Sequence, residues 1–211
     1  MSYRYTTPAQ GLTFFCGADI LEQHLTSCSD TGEPCPRASN SPDPVAGISA
    51  AGHNRLDRLA PTLSLLAQDG STRTLADVRG RPALVTFAFG HCETICPAVV
   101  KQVVTAQAEL ADNGTPVGVL IVTVDPWRDL PSRLPFIADA WDLPARDAWV
   151  LSGEVATVER TLDAWGVARA RDLRNGEVTH PSLVYVIDTR GRIAFATTGG
   201  TAVLRELVER L

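Results

Sequence analysis

The sequence Gly90-His91-Cys92-Glu93-Thr94-Ile95-Cys96-Pro97 separates a pattern typical of a buried strand from a pattern typical of a helix. The strand pattern is the apolar run at residues 83–89, and the helical pattern covers residues 98–111. Backbone N–H groups at a helix N-terminus point outward unpaired, and the dipole there favours negative charge, so a thiol in this position has a lowered pKa. The motif therefore predicts thiolate chemistry at Cys92 and Cys96.

The spacing of the two cysteines leaves two kinds of chemistry open. Three residues separate Cys92 from Cys96, whereas thioredoxin-type redox motifs have two intervening residues. This spacing permits a disulfide, and it also allows two sulfurs to close on one metal ion. Cu(I) is the soft ion that a pair of thiolates prefers.

Composition excludes one class of partner and gives no evidence of a membrane segment. The 211 residues carry a net charge of −5, which argues against nucleic-acid binding, because that needs a concentrated basic face. No apolar run approaches the ~18 residues needed to cross a bilayer. Residues 1–10 have no apolar core of the kind found in a cleavable signal, so an exported form would need a signal upstream of this sequence.

The chain is expected to consist of an extension and one domain. Residues 1–55 include a stretch rich in Pro, Ser, Asn, Asp and Gly, a composition that cannot bury enough apolar surface to fold, and they are predicted to be a flexible extension. Its three cysteines, Cys16, Cys28 and Cys35, are irregularly spaced. Two interpretations of them stay open: they store or relay metal or thiols, or they have no role. Residues 56–211 are predicted to be the compact domain.

The order of elements in that domain predicts an α/β fold. Strands separated by helices must run parallel, whereas strands joined by a tight turn run antiparallel. The predicted elements are strands 63–66, 72–75, 83–89, 117–124, 148–151, 182–187 and 192–196 and helices 98–111, 129–141, 154–165 and 201–211. This order is typical of a thioredoxin-like domain, a central mixed sheet flanked by helices, with an N-terminal hairpin.

His180 is the candidate third ligand. It comes just before the strand at residues 182–187, and in a thioredoxin-like fold the loop entering this strand lies beside the cysteine loop. An imidazole there could complete a mixed sulfur–nitrogen copper site with the two thiolates. A single histidine before a strand is otherwise a solvated or hydrogen-bonded residue, and only the cysteine pair favours the ligand role.

The segment Asp125-Pro126-Trp127-Arg128-Asp129 follows the second parallel strand, at the sheet edge where sites of open α/β sheets form. Asp125 and Arg128 are expected to pair and brace the loop near the metal. Asp129 is expected to cap the helix after it. His91 is expected to have a solvent-facing or bracing role. A purely structural role for the whole segment stays open.

These motifs together resemble the Sco/SenC family of copper-binding, thioredoxin-like assembly factors for cytochrome c oxidase. The resemblance covers about residues 59–211 and rests on Cys92-Glu93-Thr94-Ile95-Cys96-Pro97, on the Asp125–Asp129 segment, and on His180. It implies that Cys92, Cys96 and His180 bind copper. It also implies delivery of copper to, or thiol reduction of, the dinuclear copper centre of oxidase subunit II, at the periplasmic face of the bacterial inner membrane.

The sequence departs from the family pattern next to the first cysteine. The family usually has Pro where this chain has Glu93, and Gly90-His91 differ from the usual pair, which contains Thr. An acidic Glu93 is expected to raise the thiol pKa values slightly and to disfavour release of the metal to an acidic partner.

The main interpretation is a copper metallochaperone that transfers its metal to a protein acceptor. Association with the membrane is then expected only through the partner or through an anchor that this sequence does not show. One alternative is a thiol–disulfide oxidoreductase in which Cys92 attacks and Cys96 resolves the mixed disulfide. A second is a peroxide-reducing or redox-sensing protein in which Cys92 is oxidised to a sulfenic acid and resolved by Cys96. The need for His180 distinguishes copper retention from thiol exchange.

Overall fold

The computed structural model describes residues 52–211. The predicted extension therefore lies almost entirely outside the described residues, and the domain boundary at residue 56 stays a prediction. The helices within the described residues are α1 (Ile95–Asp112), α2 (Leu134–Ala140), α3 (Val155–Ala164) and α4 (Thr201–Glu209). The strands there are β1 (Arg58–Leu59), β2 (Ser64–Ala67), β3 (Thr72–Thr74), β4 (Ala83–Ala88), β5 (Gly118–Thr123), β6 (Ala148–Ser152), β7 (Ala170–Arg171), β8 (Val178–Thr179), β9 (Val184–Ile187) and β10 (Arg192–Thr197).

Eight strands form one mixed sheet in the order β1-β10-β9-β4-β5-β6-β2-β3. The three strands β4, β5 and β6 are parallel, with Thr86 opposite Ile121 and Ile121 opposite Val150. The β9–β10 hairpin adds antiparallel to β4, and the N-terminal β2–β3 hairpin adds antiparallel to β6. The predicted α/β, thioredoxin-like fold with a central mixed sheet and an N-terminal hairpin is confirmed.

The sequences of the central strands are continuous apolar runs because both faces of these strands are buried. Every residue of β4, β5 and β6 is buried. Helices α1 and α4 pack against each other and against the middle of the sheet, while α2 packs on β6. The carboxyl ends of the parallel strands therefore open at one sheet edge, where the loops after β4 and β5 meet.

Two helices differ from the sequence-based expectation. Helix α1 begins at Ile95, so Cys96 and Pro97 lie in its first turn, where an N–H has no partner within the helix. The helix predicted at 129–141 is instead a 3-10 turn, Pro131–Arg133, followed by the shorter α2. Leu130 is extended, which is the conformation that the following proline favours, so no helix starts before Pro131.

A short two-stranded sheet formed by β7 and β8 was not predicted. It pairs Ala170 with Thr179 and Arg171 with Val178, apart from the main sheet. Because β8 ends one residue before His180, this hairpin sets where the candidate ligand enters the site. Within residues 52–211, no helix is long and apolar enough to span a bilayer.

Candidate metal centre

Cys92 lies in the loop between β4 and α1, and its sulfur occupies the N-terminus of the helix. The backbone N–H of Cys96 donates a hydrogen bond to Cys92 Sγ, with an N–S distance of 3.4 Å. The N-cap residue Thr94 makes no side-chain hydrogen bond to the helix, so the sulfur accepts where a cap side chain would. Negative charge on Cys92 is therefore stabilised by the helix end.

The two thiols have opposite pKa shifts. Partial burial raises the pKa of Cys92, but hydrogen bonds from the Cys96 backbone, the Cys96 thiol and Thr94 outweigh it and leave the pKa below its ordinary value. Burial raises the pKa of Cys96 to about 12, with further increases from the hydrogen bond with Cys92 and from the negative charge of Asp129. At neutral pH Cys92 is the nucleophilic sulfur, and Cys96 holds its proton.

His180 reaches the buried sulfur. Its Nε2 lies 3.7 Å from Cys96 Sγ, its Nδ1 is 3.1 Å from the carbonyl oxygen of Pro181, and its ring stands edge-on to Phe89 at 5.9 Å. A carbonyl only accepts, so this contact assigns the ring proton to Nδ1. Burial lowers the pKa of His180, and the hydrogen bond to Pro181 only partly offsets it. A neutral ring therefore directs the Nε2 lone pair at the Cys96 thiol.

The donor set of two sulfurs and one imidazole nitrogen fits a soft metal ion. Within residues 52–211, however, no three His, Cys, Asp or Glu side chains already stand close enough together to coordinate one ion. The pair formed by Cys96 and His180 is preassembled, whereas the Cys92 sulfur is held by the helix N-terminus. Three-coordinate binding would need Cys92 to move from the helix end toward the other two ligands.

Asp129 is a buried support and not a helix cap. The prediction that it caps the next helix is wrong, because the 3-10 turn begins after Leu130 without any side-chain cap. The carboxylate points inward instead, where Oδ2 accepts from the Gly90 N–H at 3.0 Å and from the Thr123 hydroxyl at 2.6 Å. Burial raises the pKa of Asp129 despite these hydrogen bonds. Asp129 thus fixes the start of the cysteine loop.

The two residues that flank Cys92, His91 and Glu93, differ in their contact with Asp129. His91 is half-exposed, and its Nδ1 lies 3.7 Å from Asp129 Oδ1, which agrees with the expected bracing role. Glu93 is exposed. Glu93 is not among the main causes of either thiol pKa shift, so its slight raising of the thiol pKa values stays a prediction; the carboxylate that raises the pKa of Cys96 is that of Asp129.

Asp125 and Arg128 form the expected ion pair, and a third residue joins them. The Asp125 side chain is completely buried, with Arg128 Nε on one oxygen and Arg171 Nη1 on the other. Sequence reasoning missed Arg171, which lies in β7. The structure thus brings Asp125, Arg128, Asp129 and the three candidate ligands to one sheet edge; Cys16, Cys28 and Cys35 lie outside the described residues.

The opposite pKa shifts predict a large difference in reactivity between the two site cysteines. At pH 7.5 iodoacetamide is expected to modify Cys92 first, because thiolate is the nucleophile and the pKa of Cys92 is lowered. Cys96 should stay unmodified until the chain is denatured, since its pKa is about 12. Mass spectrometry after cleavage at Glu93 separates the two cysteines. Equal rates at both would contradict this assignment of the nucleophile.

A thioredoxin-like sheet with a dithiol and an imidazole at its edge defines the class of protein. The family model SCO1/SenC matches residues 52–210, and the chain belongs to that family. The chain is 28% identical over 129 residues to the SCO1 protein homolog of Bacillus subtilis, which covers 60% of this chain and 66% of that protein. It is 44% identical over 131 residues to the mitochondrial SCO2 homolog of Bos taurus, covering 61% and 49% respectively.

Solved structures share the fold at low sequence identity. Arabidopsis thaliana ScoI, a structure with copper bound, matches 72% of this chain and 96% of its own length, with a TM-score of 0.63 and 19% identity. BsSco, described as having a disulfide switch and as a member of the Sco family of cytochrome c oxidase assembly proteins, matches 74% and 94%, with a TM-score of 0.63 and 22% identity. The matched region covers about two thirds of the Bacillus relative and half of the bovine one.

Proposed function

We propose that the protein is a copper metallochaperone whose domain, residues 56–211, binds one copper ion through Cys92, Cys96 and His180. The observation that carries this proposal is the preassembled pair, with a neutral imidazole Nε2 at 3.7 Å from Cys96 Sγ. A disulfide exchange needs no imidazole at this place, whereas an imidazole nitrogen beside two thiolates suits a copper ion. The copper bound to the Arabidopsis relative supports this choice of metal.

Copper binding would proceed from the exposed ligand inward. Cys92, the sulfur with the lowered pKa, is deprotonated most readily and makes first contact with the incoming ion. Cys96 then loses its proton, because metal binding requires thiolate and neutral imidazole and so releases protons. Release would begin at the same accessible ligand, with a ligand of the acceptor replacing Cys92 first.

The proposed acceptor is the dinuclear copper centre of cytochrome c oxidase subunit II, at the periplasmic face of the inner membrane. The family membership supports this choice, as does the oxidase-assembly role of the family to which BsSco belongs. Transfer by ligand exchange requires the acceptor to reach the metal. The half-exposed Cys92 offers that access, whereas Cys96 is buried.

A second candidate function is reduction of the acceptor's cysteines. It is favoured by the asymmetry of the two thiols, since a half-exposed sulfur with a lowered pKa and a buried sulfur with a raised one suit attack and resolution. In this reaction Cys92 thiolate attacks the acceptor disulfide, one acceptor thiolate leaves, and Cys96 then displaces the second while the Cys92–Cys96 disulfide forms. The two electrons come from the two site thiols.

Replacement of His180 with alanine tests the choice between the two functions. We expect the affinity for Cu(I) to fall by roughly 100-fold or more, since loss of an outer-shell partner alone costs about 10–100-fold. The measurement is an anaerobic titration of the reduced full chain against a competing chelator, with Cys16, Cys28 and Cys35 replaced by serine so that only the site supplies thiols. The chain that carries only these three serine substitutions should hold one equivalent of Cu(I).

The matched control is His53→Ala, which removes an imidazole that contacts Thr197 at 2.9 Å and lies outside the site. It should leave the affinity for Cu(I) nearly unchanged. If His180→Ala binds copper as tightly as the unchanged site, and the Cys92–Cys96 disulfide exchanges readily with thiols, the metallochaperone proposal is overturned in favour of the oxidoreductase.

A further inference from the structure

The buried carboxylate of Asp125 joins two segments that are far apart in the sequence. It follows β5, and both of its oxygens are used, one by Arg128 and the other by Arg171 of the β7–β8 hairpin. Arg128 also donates through Nη2 to the carbonyl oxygen of Gly176, in the loop that joins β7 to β8. Asp125, Arg128 and Arg171 are called the carboxylate clamp below.

We propose that Arg171 is a positioning residue for His180, through the carboxylate clamp, in the copper site that the proposed function requires. His180 follows β8 directly, and β8 pairs with β7 at two positions, Ala170 with Thr179 and Arg171 with Val178, with one more backbone hydrogen bond from Asp172 N–H to the Glu177 carbonyl. A two-stranded ribbon of this length has little stability of its own. Its position must therefore come from contacts with the rest of the domain.

The clamp supplies those contacts at β7, through Arg171, and at the loop of the hairpin, through Gly176. Arg171 packs its guanidinium over the Trp127 ring at 4.6 Å, and Arg128 lies over the Phe89 ring at 5.9 Å. Phe89 in turn meets the His180 ring at 5.9 Å. The clamp thus fixes the hairpin on one side of His180 while an aromatic contact holds the imidazole on the other.

The charge arrangement makes Arg171 harder to replace than a surface arginine. The Asp125 side chain is 0% exposed, while those of Arg171 and Arg128 are each 24% exposed. Removing one partner of a buried ion pair leaves charge without compensation, so the carboxylate would draw in water or shift toward Arg128 alone. Either response loosens β7, the strand that pairs with the one leading to His180.

Arg171→Met keeps the length of the side chain and removes the guanidinium. We expect the affinity for Cu(I) to fall about 10-fold, the lower part of the range for lost outer-shell support. The matched control is Arg174→Met, which breaks an ion pair with Asp172 in the same hairpin at a side chain that is 90% exposed. It should leave copper affinity unchanged, because exposed pairs contribute little.

A double-mutant cycle separates positioning from general damage. When His180→Ala is already present, adding Arg171→Met should cause no further loss of affinity, since the clamp acts through the imidazole. The nitrogen hyperfine coupling of bound Cu(II) should also weaken in Arg171→Met but not in Arg174→Met. Arg171→Lys keeps the charge and should restore part of the copper affinity. If Arg171→Met fails to fold, Arg171→Lys takes its place in the same measurements.

A readout without copper keeps this inference apart from the proposed function. Diethyl pyrocarbonate modifies neutral imidazole, and the half-buried His180 should react several-fold faster in Arg171→Met than in wild type, with Cys92 alkylation unchanged. If wild type binds no copper, the proposed function fails while this rate still tests the positioning role. Two results would overturn the positioning role. One is an Arg171→Met variant whose copper affinity and rate of His180 modification both equal those of wild type. The other is a loss of copper affinity on adding Arg171→Met that is just as large when His180 is already alanine.

Discussion

Replacing Cys92 and Cys96 together with serine is expected to abolish tight copper binding. Serine hydroxyls are hard donors that keep their protons at neutral pH, so His180 would be left as a single soft-metal ligand. The loss should amount to several orders of magnitude, larger than the effect of His180→Ala. The measurement is the same anaerobic competition titration with Cu(I).

The matched control for this double variant is the chain in which Cys16, Cys28 and Cys35 are serine and the site cysteines are kept. That variant removes three thiols of the sequence but none from the described site. It should hold one equivalent of Cu(I) as tightly as the unchanged chain. A double site variant, made with Cys16, Cys28 and Cys35 kept, that still retains one equivalent would move the copper site to the N-terminal cysteines and would contradict the assignment of Cys92 and Cys96.

The strand, loop and helix around the cysteines could be predicted because their signals are local. An apolar run of the length of β4 is buried on both faces, and the stripe of α1 stops where Asn113 and Gly114 end it, with Gly114 at a φ of +81°. The pairing of Asp125 with Arg128 is equally local, since the two residues are three apart.

The inward orientation of Asp129 could not be predicted from the capping rule. That rule considers only the helix that follows, whereas the carboxylate has two donors in space, the Gly90 N–H and the Thr123 hydroxyl. Gly90 itself approaches the same region so closely that a Cβ there would stand 2.7 Å from Ile137 Cδ1. Such contacts of the loop after β4 with Asp129 and with α2 exist only once the sheet is formed.

The hairpin that presents His180 was missed for a related reason. Strands β7 and β8 have two residues each, too short for a periodic pattern, and Arg171 meets Asp125 across 46 positions of sequence. One signal was available: Asn175-Gly176 is a dipeptide typical of turns, and Gly176 has a φ of +75°. That signal indicates a reversal of the chain just before His180, although it cannot identify the residue that anchors it.

Replacing Trp165 with alanine is expected to destabilise the domain by about 3–5 kcal/mol, the cost of removing a large buried aromatic side chain. The Trp165 ring is 0% exposed and packs against Phe87 at 6.0 Å and Tyr185 at 5.5 Å. Its backbone carbonyl also accepts from the Tyr185 hydroxyl at 3.1 Å. The truncation would leave a cavity between α3 and the strands β4 and β9, and the loop after β4 carries Cys92.

The free energy of unfolding is measured by urea unfolding followed by far-UV circular dichroism. Two further variants are compared with Trp165→Ala. Trp165→Phe should cost less than about 1.5 kcal/mol, because it keeps an aromatic ring and removes an indole N–H that has no hydrogen-bond partner within residues 52–211. Trp127→Ala should cost less than Trp165→Ala, since Trp127 is 45% exposed. If Trp165→Ala cost no more than Trp127→Ala, the aromatic cluster under the site would not be a main source of the domain's stability, and the packing that holds the cysteine loop would have to lie elsewhere in the sheet.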